Sequence, residues 1–106
     1  MDEARARELL EAQRHRIESS LAELSEVEDS EPSQSPADEA TQLAEREVEE
    51  GLAESLRDEL AAIGRAEQRL EEGSYGLSIE SGKPIPDSRL EAIPWAERTT
   101  EEERRG

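Results

Sequence analysis

The chain has no cysteine and no phenylalanine, and its 106 residues include a single tyrosine, a single tryptophan and a single histidine. Without cysteine there is no disulfide staple, no thiolate metal site and no thiol nucleophile, and the redox compartment is left unread. Aromatics at 2% supply little large apolar volume, so a chain of this length can build one small domain, or a helical hairpin with a small head, but not a large core. No apolar run is long enough for a membrane span or a signal-peptide core, which makes a cytoplasmic protein without membrane contact the expectation. Cations are scarce as well: 13 Lys and Arg face 29 Asp and Glu for a formal charge of −16, and Lys83 is the only lysine. Such a surface repels DNA and RNA phosphates, so direct nucleic-acid binding is not expected and a basic protein surface is the fitting partner.

What the chain has in quantity is charge. Charged residues make up 40% and hydrophobic residues 32%, a balance near that of disordered chains, so order must come from periodicity. From Asp2 to about Glu28 there is no Gly or Pro, and Ala6, Leu10, Ile17, Leu21, Leu24 and Val27 recur at the spacings of one apolar helical stripe. Asp29 to Pro36 breaks that pattern with two prolines and three serines and reads as a loop. A second stripe follows in Ala40, Leu43, Val48, Leu52, Leu56, Leu60, Ile63, Ala66 and Leu70, and stops at Gly73, a residue suited to the position after a helix end. Gly51 and Gly64 inside it cost roughly 1 kcal/mol each relative to Ala, which points to close helix approach or local bending. Two amphipathic helices joined by a short polar loop bury their stripes against each other as an antiparallel coiled coil, and a hairpin that satisfies its own stripe is expected to be a monomer.

After Gly73 the period changes. Tyr75 to Ile79 alternates in twos, Glu80-Ser81-Gly82 is turn chemistry, and Lys83-Pro84-Ile85 is placed to return as a short antiparallel strand. Pro86-Asp87-Ser88 opens a short helix that Pro94 stops. Tyr75, Leu77, Ile79, Ile85, Leu90, Ile93 and Trp95 are the apolar groups available to pack this head onto the hairpin. The fold expected is thus mainly α: a long antiparallel coiled-coil hairpin over 1–72 with its tip loop at about 29–37, and over 73–106 a small α/β head with a short C-terminal helix.

The run from Arg69 to Trp95 resembles the C-terminal zinc-finger signature of the DksA/TraR family of bacterial transcription regulators. The resemblance rests on Glu72-Gly73-Ser74-Tyr75-Gly76, on Gly82-x-Pro84-Ile85 and on Arg89-Leu90-x-Ala92-x-Pro94, and it extends from about Pro36 to Glu102. The family carries two Cys-x-x-Cys pairs, one after the Tyr-Gly and one after the Pro-Trp. The matching positions here are Ser78, Ser81, Thr99 and Glu102, so the resemblance is to a degenerate zinc finger. Three hydroxyls and one carboxylate cannot replace four thiolates around zinc, and they offer little compensation for dehydrating a calcium or magnesium ion, so no metal and no cofactor is expected. Thr99-Thr100-Glu101-Glu102 instead has the spacing of a helix capping box, and Ser78 and Ser81 flank a turn whose backbone their hydroxyls can bond.

At the other end, Pro36-Ala37-Asp38-Glu39-Ala40-Thr41 resembles the family's coiled-coil tip, an Asp-x-x-Asp-x-Ala pattern in which Asp38 and Ala40 match while Ser35 stands where the first Asp belongs. What the resemblance implies is a regulator that binds RNA polymerase. Its hairpin would enter the secondary channel with the tip near the catalytic centre, its head would stay outside, and it would not touch DNA. Asp38 is equally suited to charge or cap the first turn of the second helix. The alternative is a non-catalytic coiled-coil adaptor, or a degenerate family member that does not regulate polymerase. Catalysis is not expected. There is no glycine-rich phosphate loop, His15 lies between Arg14 and Arg16 as a solvated residue, and carboxylate pairs carry no information in so acidic a chain.

Overall fold

The computed structural model describes residues 1–29 and 39–105, with side-chain surroundings described for 1–25 and 46–105. Two long helices, α1 (Glu3–Asp29) and α2 (Glu39–Glu72), are followed by the short α3 (Asp87–Ala92) and α4 (Thr100–Arg105). The molecule is elongated, 55 Å in its longest dimension. Its bounds for α1 lie within a residue of those read from the uninterrupted stripe, and α2 ends where Gly73 was expected to end it. Gly73 adopts φ +80°, its amide donates to the Leu70 carbonyl and the Ser74 amide donates to that of Arg69, which is the pairing of a Schellman motif.

The two long helices pack antiparallel and bury Ala6, Leu10 and Ile17 against Ile63, Ala66 and Leu70. Leu21, Leu56 and Leu60 flank this core half-buried, and the alanines at 6 and 66 keep the facing surfaces thin. An ion pair from Arg14 to Glu67 crosses the seam. That pair fixes a register. Fifteen residues further along α1 is Asp29, its last residue, and fifteen back along α2 is Leu52.

The register corrects the expected second stripe. Val48 and Leu52 are 72% and 50% exposed, while Ala53, which the stripe omitted, is buried. Val48, Leu52, Leu56 and Leu60 follow one another in steps of four, and such a row winds away from a seam whose mean spacing is 3.5. Val48 also lies beyond the level at which α1 ends. Of the two readings of Gly51 and Gly64, close helix approach is not required, since a Cβ at either would meet nothing within 4 Å.

The head has no strand among the described residues. The expected hairpin is reduced to a single antiparallel bridge between Leu77 and Pro84. The Ser78 amide donates to Lys83 O at 2.8 Å and the Ile85 amide to Gly76 O at 2.8 Å, but Pro84 and Pro86 have no amide with which to extend the ladder. Ile85, Leu90 and Ala96 form a second small core, against which Tyr75 and Ile93 pack. Tyr75 also packs on the hairpin core, as does Trp95, so the head and the hairpin base share one apolar interior.

Leu77 and Ile79 do not join it, being 40% and 50% exposed. The period-two alternation is real but faces the other way. Ser78, between them, is the residue turned inward, at 4% exposure.

Candidate functional site

Of the tip residues singled out in the sequence, Ser35 and Asp38 lie outside the described residues, and Ala40 falls in the first turn of α2, its side-chain surroundings undescribed. The flank of α2 that follows is described. Glu47, Glu50, Glu54 and Asp58 are exposed along it beside Arg46 and Arg57, so this end of the rod carries an excess of negative charge over a face that also shows Val48 and Leu52.

The positions at which the resemblance would place cysteines lie in two hydrogen-bonded stretches of the head, Ser78 with Ser81 and Thr99 with Glu102. Thr99 precedes α4 and acts as its N-cap. Its amide donates to Glu102 Oε1 at 2.9 Å, and the Glu102 amide donates back to Thr99 Oγ1 at 3.3 Å. This is the reciprocal capping box that the spacing called for. Ser78 Oγ accepts from the amides of Glu80 at 3.1 Å and Ser81 at 3.2 Å, and Ser81 Oγ accepts from the Lys83 amide at 3.3 Å.

Glu102 is the buried member of this capping box. That residue is 4% exposed, and its pKa falls from 4.5 to about 2, first because of the Thr99 amide and then because of the Ser78 hydroxyl. Burial opposes this shift, and the hydroxyls of Ser81 and Thr99 add to it. The donor set does not fit zinc. The Ser78 oxygen is already occupied by two amides, the hydroxyls are neutral, and a single carboxylate is the only anion. Among the described residues no three His, Cys, Asp or Glu side chains are placed to hold a metal ion.

The remaining signature residues build the turns that carry this arrangement. Tyr75 donates its hydroxyl to Pro94 O at 2.8 Å, and Pro94 is buried. Gly76 has φ +85°, and a Cβ there would stand 3.7 Å from Leu90 Cδ1, so the left-handed backbone sets the requirement for glycine rather than a clash. Gly82, at φ +74°, closes the turn with its amide on Ser78 O at 2.9 Å. Pro84 makes the bridge to Leu77 and Leu90 fills the head core. Arg89 donates through Nε to Arg98 O at 3.0 Å and through NH1 to Thr100 Oγ1 at 3.4 Å, which ties α3 to the start of α4.

Sequence reasoning missed Glu97. Its carboxylate accepts from Arg65 NH2 at 2.6 Å, and Arg69 NH1 stands 3.9 Å away. The Glu97 carbonyl accepts the Ile79 amide at 2.9 Å. Glu97 therefore clamps the head to α2, and the hydrogen bond from Arg65 holds its pKa below the ordinary carboxylate value. Arg69 is largely buried, with Nε and NH2 lacking a partner, so Glu97 is the counter-charge nearest to it in the fold. No local pattern marks a residue whose role is set by two arginines from another helix.

No family model matches the chain. The chain is similar to general stress protein 16O of Bacillus subtilis, with 37% identity over 65 residues, covering 61% of this chain and 40% of that one. It is similar to the RNA polymerase-binding transcription factor DksA of Caulobacter vibrioides, with 38% identity over 69 residues, covering 65% of this chain and 49% of that one. It thus spans less than half the length of the curated relatives it matches. The solved structure of transcription factor DksA2 from Pseudomonas aeruginosa superposes with a TM-score of 0.75 at 32% identity, over 97% of this chain and 81% of that one.

Proposed function

Because the chain belongs to the DksA/TraR family, we propose that it is a transcription regulator that binds bacterial RNA polymerase directly, through the secondary channel, without contacting DNA. The likeness to a transcription factor over nearly the whole chain carries this reading. The hairpin's form is in keeping with it: a slender helical pair whose distal flank is acidic is drawn to a basic channel wall and repelled by nucleic acid. Asp38 is proposed as the carboxylate that acts near the catalytic centre, with Ala40 behind it and Ser35 in place of the family's first aspartate. A carboxylate delivered there can perturb a bound magnesium ion or its nucleotide. The protein works as a cytoplasmic monomer and has no catalytic activity of its own.

The test is binding to core RNA polymerase in competition with a known secondary-channel occupant, across a salt series. Competitive binding that weakens as salt rises is the expected result, since exposed charges are screened. Absence of binding at low salt would sink the proposal and favour the adaptor. Asp38→Asn then separates action from docking, because a regulator should keep its fold and its binding while its effect on transcription changes.

A further inference from the structure

A cleft of about 420 Å³ lies between α2 and the head. Asp58, Glu59 and Ala62 share one face of α2 and form one wall, at the helical steps of three and four. The other wall runs from Trp95 and Ala96 to Glu103 on α4. Ala62 and Ala96 are buried and Trp95 is half-buried, while Asp58 and Glu103 are exposed. The cleft is thus apolar and aromatic within and anionic at its edges.

The arginines that line it are engaged away from these carboxylates. Arg89 donates to Arg98 O and Thr100 Oγ1, and Arg98 pairs with Glu80 at 3.5 Å. Glu97, the fourth carboxylate of the lining, is taken by Arg65 at 2.6 Å. Arg65 also feels the charge of Asp58, yet its hydrogen bonds go to Glu97. Among the described residues no cation is paired with Asp58, Glu59 or Glu103. The sequence from 26 to 45 holds no Lys, Arg or His that could supply one.

Carboxylates grouped beside an indole match a guanidinium better than other cations. The planar group stacks on the ring while its N–H groups reach the carboxylates, and an ammonium gains the charge with less of the stack. The volume falls within the roughly 300–1,000 Å³ of ligand-sized sites, which leaves room for a long side chain and the peptide that carries it.

We propose that the cleft between α2 and the head receives an arginine side chain from a basic segment of a protein partner, with Asp58, Glu59 and Glu103 as its counter-charges and Trp95 as its platform. The proposal does not depend on which protein supplies the arginine, so its failure would leave the polymerase reading standing, and the reverse holds too.

Trp95 is the only tryptophan, so its fluorescence reports on the cleft alone. The full-length protein is to be titrated at low salt with an end-blocked Gly-Arg-Gly-Arg-Gly peptide, with the same peptide carrying lysines, and with agmatine. The arginine peptide should shift the Trp95 emission saturably and bind more tightly than either of the others. No change in emission would overturn the proposal, as would lysine binding equally well. Agmatine binding as tightly as the peptide would mark a site for a small organic cation and overturn it likewise.

Two variants of equal net charge separate the cleft from general attraction to an acidic chain. D58N/E59Q/E103Q should weaken the arginine peptide by at least about fivefold, the sum of several small exposed ion-pair contributions. E23Q/E47Q/E50Q, which neutralises three side chains away from the cleft, should weaken it much less. Equal weakening by the two, at wild-type helicity, would show that the peptide reads net charge and not the cleft.

Discussion

Tyr75 donates its hydroxyl to the backbone carbonyl of Pro94 across 2.8 Å, tying the turn that opens the head to the proline that ends α3. Tyr75 also packs on both apolar clusters, so one side chain fixes the head to the hairpin and to itself. Tyr75→Phe keeps the ring and removes the hydrogen bond, leaving the buried Pro94 carbonyl without that partner. The expected loss is about 0.5–1.5 kcal/mol, read as a lower urea midpoint at unchanged helicity.

The same tyrosine gives an alkaline test. Burial is the first cause raising its pKa above 10, Arg69 opposes the shift, and Glu91 and Asp87 add to it. The stability tied to the protonated phenol is fully present below pH 10 and is lost as pH rises through the higher folded value. With one tyrosine in the chain, phenolate absorbance reports this group alone. The titration should lie above that of the urea-unfolded protein, and Tyr75→Phe should remove it.

On the acid side the sign reverses. Glu102 has its pKa lowered from 4.5 to about 2 by the Thr99 amide and then the Ser78 hydroxyl, and Glu97 is lowered by Arg65. Their contribution is fully present above the unfolded carboxylate value and disappears as pH falls from 4.5 toward 2. Thermal unfolding across that range should show a falling midpoint. Glu102→Gln should start lower at neutral pH and fall less steeply.

The long helices were legible because a 3.6-residue period over many turns is a redundant signal, and Gly73 marks the end of one of them. Ala6, Leu10, Ile17, Ile63, Ala66 and Leu70 all sit where the stripe put them. Val48 and Leu52 were not legible, because burial there depends on how far α1 runs on the other side of the seam, and no residue in α2 records that. Leu77 and Ile79 mislead for a different reason. Alternation tells which residues share a face, not which face is inside, and here the buried residue is Ser78, whose hydroxyl accepts the Glu80 and Ser81 amides. Thr99 and Glu102 were readable as a capping box from spacing alone.

Gly51 and Gly64 give a prediction of improved stability. Both lie inside α2, and a Cβ would meet nothing within 4 Å at either. Alanine loses less backbone entropy on folding, so Gly51→Ala and Gly64→Ala should each stabilise by about 0.5–1 kcal/mol. A higher thermal midpoint for each, and near-additivity in the pair, is the expected outcome. A loss at either position would mean that the helix needs to bend there.

Leu10 and Leu52 should respond in opposite ways to truncation. Leu10 is 0% exposed between the long helices, whereas Leu52 is 50% exposed at the level where α1 ends. Leu10→Ala opens a cavity in a thin core and should cost about 2–5 kcal/mol, much of the stability of a chain this size. Leu52→Ser and Val48→Ser should shift unfolding by no more than about 0.5 kcal/mol, because both side chains are at least half exposed. Binding to RNA polymerase separates what remains. If the acidic flank of α2 docks on the channel wall, the double variant V48S/L52S should bind more weakly while unfolding as the wild type does. Equal binding would restrict the docking surface to the charged residues around that pair.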